Sequence, residues 1–158
     1  MIVISAFQAE MEQGIIDLIL PIQTEEFAVQ ITKEDQPDLL DIKNFYQVGN
    51  GNFWCAINDE QVVGTIALLD IGNQQLALRK MFVLKDYRGT GLANRLLDEA
   101  FVWANGKGCQ EIYLGTTDKF LAAHRFYEKN GFTVVEVGQL PSAFPVLKVD
   151  SKFYKKEL

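Results

Sequence analysis

The stretch Arg88-Gly89-Thr90-Gly91-Leu92-Ala93 constrains this chain more than any other. It follows an extended apolar segment, Leu78-Arg79-Lys80-Met81-Phe82-Val83, and the apolar spacing beyond it predicts a helix from Gly91 to Ala104. A strand, a glycine turn and a helix start in that order can hold a phosphate. Glycines let a ligand approach the main chain, several N–H groups converge, and the helix N-terminus carries partial positive charge. Arg88 adds a side-chain cation beside that cradle. Glycines that serve turn geometry alone are the other reading of the segment.

Two familiar phosphate loops do not fit. A Walker A loop needs Gly-Lys-Ser/Thr, whereas Gly91 is followed by Leu92 and Ala93. A dinucleotide fingerprint starting at Gly89 needs a third glycine where this chain has Asn94. Composition narrows the partners further. With 158 residues, 48% of them apolar, the chain suits one domain, residues 1–158, with a substantial core. A formal charge of −6 disfavours a nucleic-acid partner, whose phosphates it would repel.

Cys55 and Cys109 form no CxxC pair and His124 is the single histidine, so no metal site is expected. Both cysteines fall in predicted strands and read as buried small apolar residues of a reducing compartment. Met1 to Phe7 lacks a basic region and a signal-peptide core, and no apolar run is long enough for a bilayer. The expectation is a cytoplasmic protein with no membrane partner.

Ile2 to Phe7 reads as a first strand, and Glu10 to Leu20 carries helical apolar spacing that Pro21 ends. Leu39 to Tyr46 is a second helix. Phe53 to Ile57 and Gln61 to Leu69 flank Asn58-Asp59-Glu60 as a hairpin, and the strand Ala77–Val83 follows. Beyond the glycine turn come the long helix, a strand at Glu111–Gly115, a helix at Phe120–Lys129, a strand at Phe132–Val137 and a last strand within Val146–Tyr154. Strands interleaved with helices specify a mixed sheet covered by helices, an α/β (α+β) fold.

The pattern Arg-x-x-Gly-x-Ala ending at Ala93 resembles the pyrophosphate loop of the GCN5-related N-acetyltransferase (GNAT) superfamily. A second run, Ala123-His124-Arg125-Phe126-Tyr127-Glu128-Lys129-Asn130-Gly131-Phe132, resembles that family's other signature. The pair of motifs and the strand before them cover Ala77 to Phe132, a little over a third of the chain. The resemblance implies a sheet of about six to seven strands whose fourth and fifth strands splay apart, with acetyl-CoA lying between them as cosubstrate. It implies a pyrophosphate held at Arg88, Gly89, Thr90, Gly91, Leu92 and Ala93, and a pantetheine arm held by the main chain of Met81, Phe82 and Val83. Phe82 or its neighbours would supply oxyanion donors. It is compatible with a homodimer.

The implied reaction is transfer of an acetyl group to a primary amine of a small molecule, peptide or protein, within a ternary complex. A thiol has a pKa of about 8.5 and a tyrosine of about 10, so Tyr127 is protonated at neutral pH and can donate to the departing sulfur. A tyrosine that packs its ring and points its hydroxyl to water is the alternative. Three departures from the family pattern stand out. Phe120 occupies the position, seven residues before Tyr127, where relatives carry a cofactor-contacting asparagine. Ala77 sits where a strand-four glutamate often takes the amine proton, and Ala93 replaces the loop's last glycine.

The proton acceptor is therefore open among Glu25, Glu26, Asp35, Asp38, Asp70, Asp118 and water. Because the family's first helices border the acceptor pocket, Glu26 is favoured, a solvated acidic turn being the other reading. His124, three residues before Tyr127, is a packing or surface residue or touches a ligand. Two readings of function remain: an N-acetyltransferase, and a module of the same fold that binds acetyl-CoA without turnover.

Overall fold

The computed structural model describes every residue, Met1–Leu158. Seven strands form one sheet in the order β1-β2-β3-β4-β5-β7-β6. They are β1 (Val3–Ala6), β2 (Asn52–Asn58), β3 (Gln61–Asp70), β4 (Gln75–Val83), β5 (Glu111–Thr116), β6 (Thr133–Val135) and β7 (Lys152–Glu157). Four α-helices accompany them: α1 (Glu12–Pro21), α2 (Ile42–Tyr46), α3 (Leu92–Gly106) and α4 (Leu121–Lys129). Every pairing is antiparallel except β4 with β5.

The strands alternate apolar residues toward both faces because both faces are covered. On one face Trp54, Ala56, Ile66, Leu68, Leu76 and Leu78 pack against Leu92, Leu96, Leu97, Ala100 and Ala104 of α3. Tyr127 of α4 joins this layer. On the other face Phe53, Cys55, Val62 and Ala67 meet Ile15, Leu18 and Ile19 of α1 and Ile42 and Tyr46 of α2. Fully burying a side chain the size of Leu96 contributes about 2 to 3 kcal/mol, so this layering carries much of the fold. A smaller group, Ile71, Ala77, Tyr113, Phe144 and Phe153, packs the segment before β7 onto the second face.

Several boundaries differ from the sequence expectation. Pro21 does not end the first helix but occupies its last α turn, and the chain continues as a wide π turn over Ile22–Glu26. The second helix divides into a 3-10 turn, Pro37–Leu40, and the short α2. The last strand begins at Lys152 rather than Val146 and runs to Glu157, which leaves Asp150 in the loop before it. Cys109 lies between α3 and β5, outside any strand, although it and Cys55 are both free and buried.

What positions the site is the short contact between β4 and β5. Their parallel pairing covers Gln75↔Glu111, Leu76↔Ile112 and Ala77↔Tyr113, and then stops. Beyond it, β5 keeps pairing with β7 and β4 keeps pairing with β3, so each faces the other across a gap. Within that stretch β4 gains a residue: Thr65 stands opposite Phe82 but Ala67 opposite Arg79. This β-bulge bends the strand. Lys80, inside it, has a φ of 53°, a left-handed conformation that strains a non-glycine residue by about 1 to 3 kcal/mol. The buried Thr65 hydroxyl donates to the Lys80 carbonyl at 2.7 Å and holds the bulge in place.

Thr65→Val keeps the shape and removes that donor. We expect it to destabilise the fold by about 1 kcal/mol, read as a lower urea midpoint at unchanged slope. An unaltered midpoint would show that the bulge needs no such anchor.

Candidate functional site

The glycine turn has the geometry of an anion cradle. Gly89 and Gly91 have φ of 76° and 88°, which a side-chain-bearing residue adopts only under strain, and no atom lies within 4 Å of where a Cβ would stand on either. Gly91 caps α3. From Gly89 through Asn94 no backbone N–H has a protein acceptor, whereas Arg88 N–H bonds to Lys85 and Arg95 N–H to Gly91. A row of free donors around open space, at the N-terminus of a long helix, fits a pyrophosphate. The unpaired edge of β4 from Leu78 to Val83, which includes Met81 and Phe82, leads from the cradle along the gap and fits an extended arm added as a strand.

Arg88 is engaged from within the chain. Its Nε donates to the Val83 carbonyl at 3.0 Å, and its two terminal nitrogens form a fork with Glu26, Nη2 to Oε2 at 2.9 Å. The hydrogen bond from Arg88 holds the Glu26 carboxyl below the usual carboxylate range. Glu26 thus lies beside the glycine turn, with its carboxylate engaged by Arg88. A carboxylate so stabilised is a weak proton acceptor. The next residue, Phe27, packs edge-on against Phe120 at 4.6 Å, so the segment after α1 reaches across to the start of α4.

Tyr127 is buried among Phe126, Phe132 and Tyr154. Burial pushes its hydroxyl up to about 12. That hydroxyl makes no hydrogen bond within the chain, and since no fully enclosed polar atom lacks a partner, it reaches solvent. His124 is buried too. Its Nε2 lies 2.9 Å from the Thr117 carbonyl and so fastens α4 to the loop after β5.

The remaining acidic candidates are spoken for. Asp38 accepts from the Tyr46 hydroxyl at 2.6 Å and lies 3.6 Å from the Lys80 ammonium. Lys80 also donates to Gln36, which exchanges hydrogen bonds with Gln23. Burial pushes the Lys80 ammonium down to about 8, although Asp38 pulls the other way. Asp35 accepts from Thr32 N–H, Asp70 from the N–H groups of Asn50 and Gly72, and Asp118 from Ser151. Glu25 is exposed.

A carboxylate outside that set lies at the gap. Asp150 is half-buried against Gly115 of β5: a Cβ on Gly115 would stand 2.6 Å from Asp150 Oδ2. Burial raises its carboxyl above the usual aspartate value. Extending the last strand back to Val146 hid it as a mid-strand residue. The pair Asp150-Ser151, two turn-forming residues after an apolar run, is the signal that could have found it.

Comparison with known proteins agrees with this geometry. The acetyltransferase (GNAT) family model matches residues 16–132. The chain belongs to the GNAT family. A GNAT-family acetyltransferase from Staphylococcus aureus Mu50 is 42% identical, with 99% of each chain covered and a TM-score of 0.96. N-acetylaspartate synthetase of Xenopus tropicalis is 38% identical over 104 residues, which are 63% of this chain and 38% of that protein. The chain thus spans well under half the length of that curated relative. The PaiA N-acetyltransferase of Thermoplasma acidophilum, solved in complex with coenzyme A, shares 19% identity over 100% of this chain and 99% of its own, with a TM-score of 0.77, and so shares the fold. The splayed mixed sheet is the GNAT fold.

Two outcomes are expected of the cradle. Gly91→Val forces a β-branched residue into a positive φ and should weaken acetyl-CoA binding at least tenfold, about 1.4 kcal/mol, by calorimetry. Glu26→Gln frees Arg88 from its internal anion and should tighten acetyl-CoA binding by up to about fivefold, the reach of an exposed ion pair. A large fall in turnover of Glu26→Gln, with no gain in affinity, would instead return Glu26 to the role of proton acceptor.

Proposed function

We propose that this protein is an acetyl-CoA-dependent N-acetyltransferase that acts on a primary amine. The observation that carries the reading is the free N–H row of Gly89–Asn94 beside the unpaired edge of β4, with the partnerless Tyr127 hydroxyl of α4 as the candidate donor. Arg88, once released by Glu26, adds its charge to the cradle, and Thr90, Leu92 and Ala93 contribute main-chain donors. Bound acetyl-CoA would supply an acetyl group activated as a thioester. Phe120, packed on Phe27, would line the cofactor side of the gap.

Main-chain N–H groups near Phe82 would stabilise charge developing on the thioester oxygen. Tyr127 would act on the sulfur. With its own pKa near 12, and a thiol at about 8.5, complete proton transfer from tyrosine to thiolate runs uphill. The hydroxyl therefore serves best as a hydrogen-bond donor that spreads the charge of the departing sulfur. Burial also keeps it protonated across the physiological range, so no titration of Tyr127 should enter the pH profile of the rate below about pH 10.

The names of relatives agree with an amine acceptor, since N-acetylaspartate synthetase and N-acetyltransferase family 8 member 2 are among them. The alternative, a module of this fold that binds acetyl-CoA without turnover, rests on Ala77, where a strand-four carboxylate would otherwise stand.

Tyr127→Phe distinguishes the two. It should lower single-turnover acetyl transfer by roughly ten- to ten-thousand-fold and leave acetyl-CoA affinity nearly unchanged. The ring remains, so the packing on Phe126, Phe132 and Tyr154 should persist. Equal rates for wild type and variant, with chemistry limiting, would remove Tyr127 from the mechanism. Tight binding with no transfer to any amine would favour the binding module.

A further inference from the structure

The last paired rung between β4 and β5 is Ala77↔Tyr113, and both side chains lie on the face opposite α3 and α4. Two positions further along each strand, in the same register and on the same face, stand Arg79 and Gly115. They are the first residues on that face to look at one another across the open gap. Asp150 fills the space above Gly115, so one wall of the opening presents a guanidinium and the other a carboxylate.

The guanidinium is free. Arg79 lies over the rings of Phe45 and Tyr46, at 5.8 and 6.0 Å from their centroids, yet forms no ion pair and no side-chain hydrogen bond. The other cations along the gap are matched within the chain, Arg88 by Glu26 and Lys80 by Asp38. Asp150 has no cation within ion-pair distance either; one of its oxygens accepts from the Leu147 N–H at 2.9 Å. Arg79 is near enough that the Asp150 carboxyl feels its charge, and the rings beneath Arg79 hold it in place. A pair of opposite charges that flanks an opening without closing on itself is complementary to a ligand carrying both signs.

We propose that Arg79 and Asp150 form a two-point site for an amino-carboxylate acceptor, the carboxylate on Arg79 and the ammonium on Asp150. This rests on the transferase reading above and names its substrate class: free α-amino acids or similarly small zwitterions, in preference to amines without a carboxylate. The geometry supplies the reason. The phosphate cradle and α4 belong to the α3 face, so the acceptor meets the thioester from the opposite face, where Arg79 and Asp150 stand.

The proton balance follows. The ammonium gives one proton to the Asp150 carboxylate, and the freed amine nitrogen forms the C–N bond as the C–S bond breaks. A second amine proton passes through solvent to the leaving thiolate. Asp150 then returns its proton to water. The products are one amide, one thiol and one released proton.

The test compares α-amino acids with their carboxamides, in which the amine is kept and the negative charge is lost. Binding to the protein loaded with coenzyme A is measured by calorimetry, and transfer from acetyl-CoA by thiol release. The acids should bind at least tenfold more tightly than the amides and show at least tenfold higher kcat/KM. Arg79→Gln should raise KM for the acids at least tenfold and erase the preference. Asp150→Asn should lower kcat at least tenfold. Gly115→Ala, which pushes the Asp150 carboxyl aside, should reproduce the loss in a variant that keeps every charged group.

Turnover of amides as readily as acids, or a preference that survives Arg79→Gln, would overturn the site while leaving the transferase reading intact. Acid-selective binding without thiol release from any amine would support the site and overturn the transferase reading.

Discussion

Because β4 and β5 pair over three rungs and then part, the sheet carries a gap at its centre, bordered by the unpaired edge of β4 and by β5. The separation has a covalent origin in β4. The extra residue at Lys80 and Met81 shifts the register against β3 and bends the strand, while β5 stays straight along β7. Parallel strands hold each other only through regularly spaced hydrogen bonds, so one bend suffices to end the ladder. An edge exposed in this way would invite unwanted pairing elsewhere in a protein. Here it lies recessed between two helical layers and can receive an extended ligand.

A strained bulge persists only where its surroundings over-determine it. Thr65 holds its carbonyl, and Gln36 and Asp38 hold its ammonium. The second contact reaches further, since Tyr46 and Gln23 join the same buried network and so tie the π turn after α1, the turn Pro37–Leu40 and α2 to β4. Burying a charged pair costs desolvation that Coulomb attraction barely offsets, which makes such a network a poor source of stability. Its effect is positional. It fixes where the helices stand relative to the gap, and therefore where an acceptor can enter.

The charges around the gap divide into two kinds. Arg88 and Glu26 neutralise each other beside the glycine turn, in a fork that a pyrophosphate bound there would have to displace. Arg79 and Asp150, at the proposed acceptor end, remain without an ion-pair partner in the chain. A matched pair costs little to keep exposed and yields to a stronger anion, whereas an unmatched pair waits for a ligand of its own. On the proposed reading, the same chain would handle two ligands of different charge on opposite faces of one sheet.

Much of this could be read from the residues in order. The glycine turn, its position between strand and helix, and the Tyr-Glu-Lys-Asn-Gly-Phe run are local patterns, set by backbone geometry and helix periodicity, and the structure finds each within a residue or two of its expected place. The seven-stranded mixed sheet follows from the element order. Element ends were harder: Pro21 tolerates a helical φ, and the apolar run from Val146 mimics a strand without finding a partner until Lys152.

The proposed acceptor pair was not legible at all. Glu26 and Asp38 share a chain segment and a charge, yet one caps Arg88 and the other neutralises Lys80. Asp150 lies far along the chain from Arg79 and meets it only because β5 and β7 bring its loop over Gly115. The sequence by itself determined the glycine turn proposed as the cofactor end, because such a turn is made of consecutive residues. The tertiary structure decided the proposed acceptor end, because its charges come from different strands and loops, and only the register of the sheet sets them face to face.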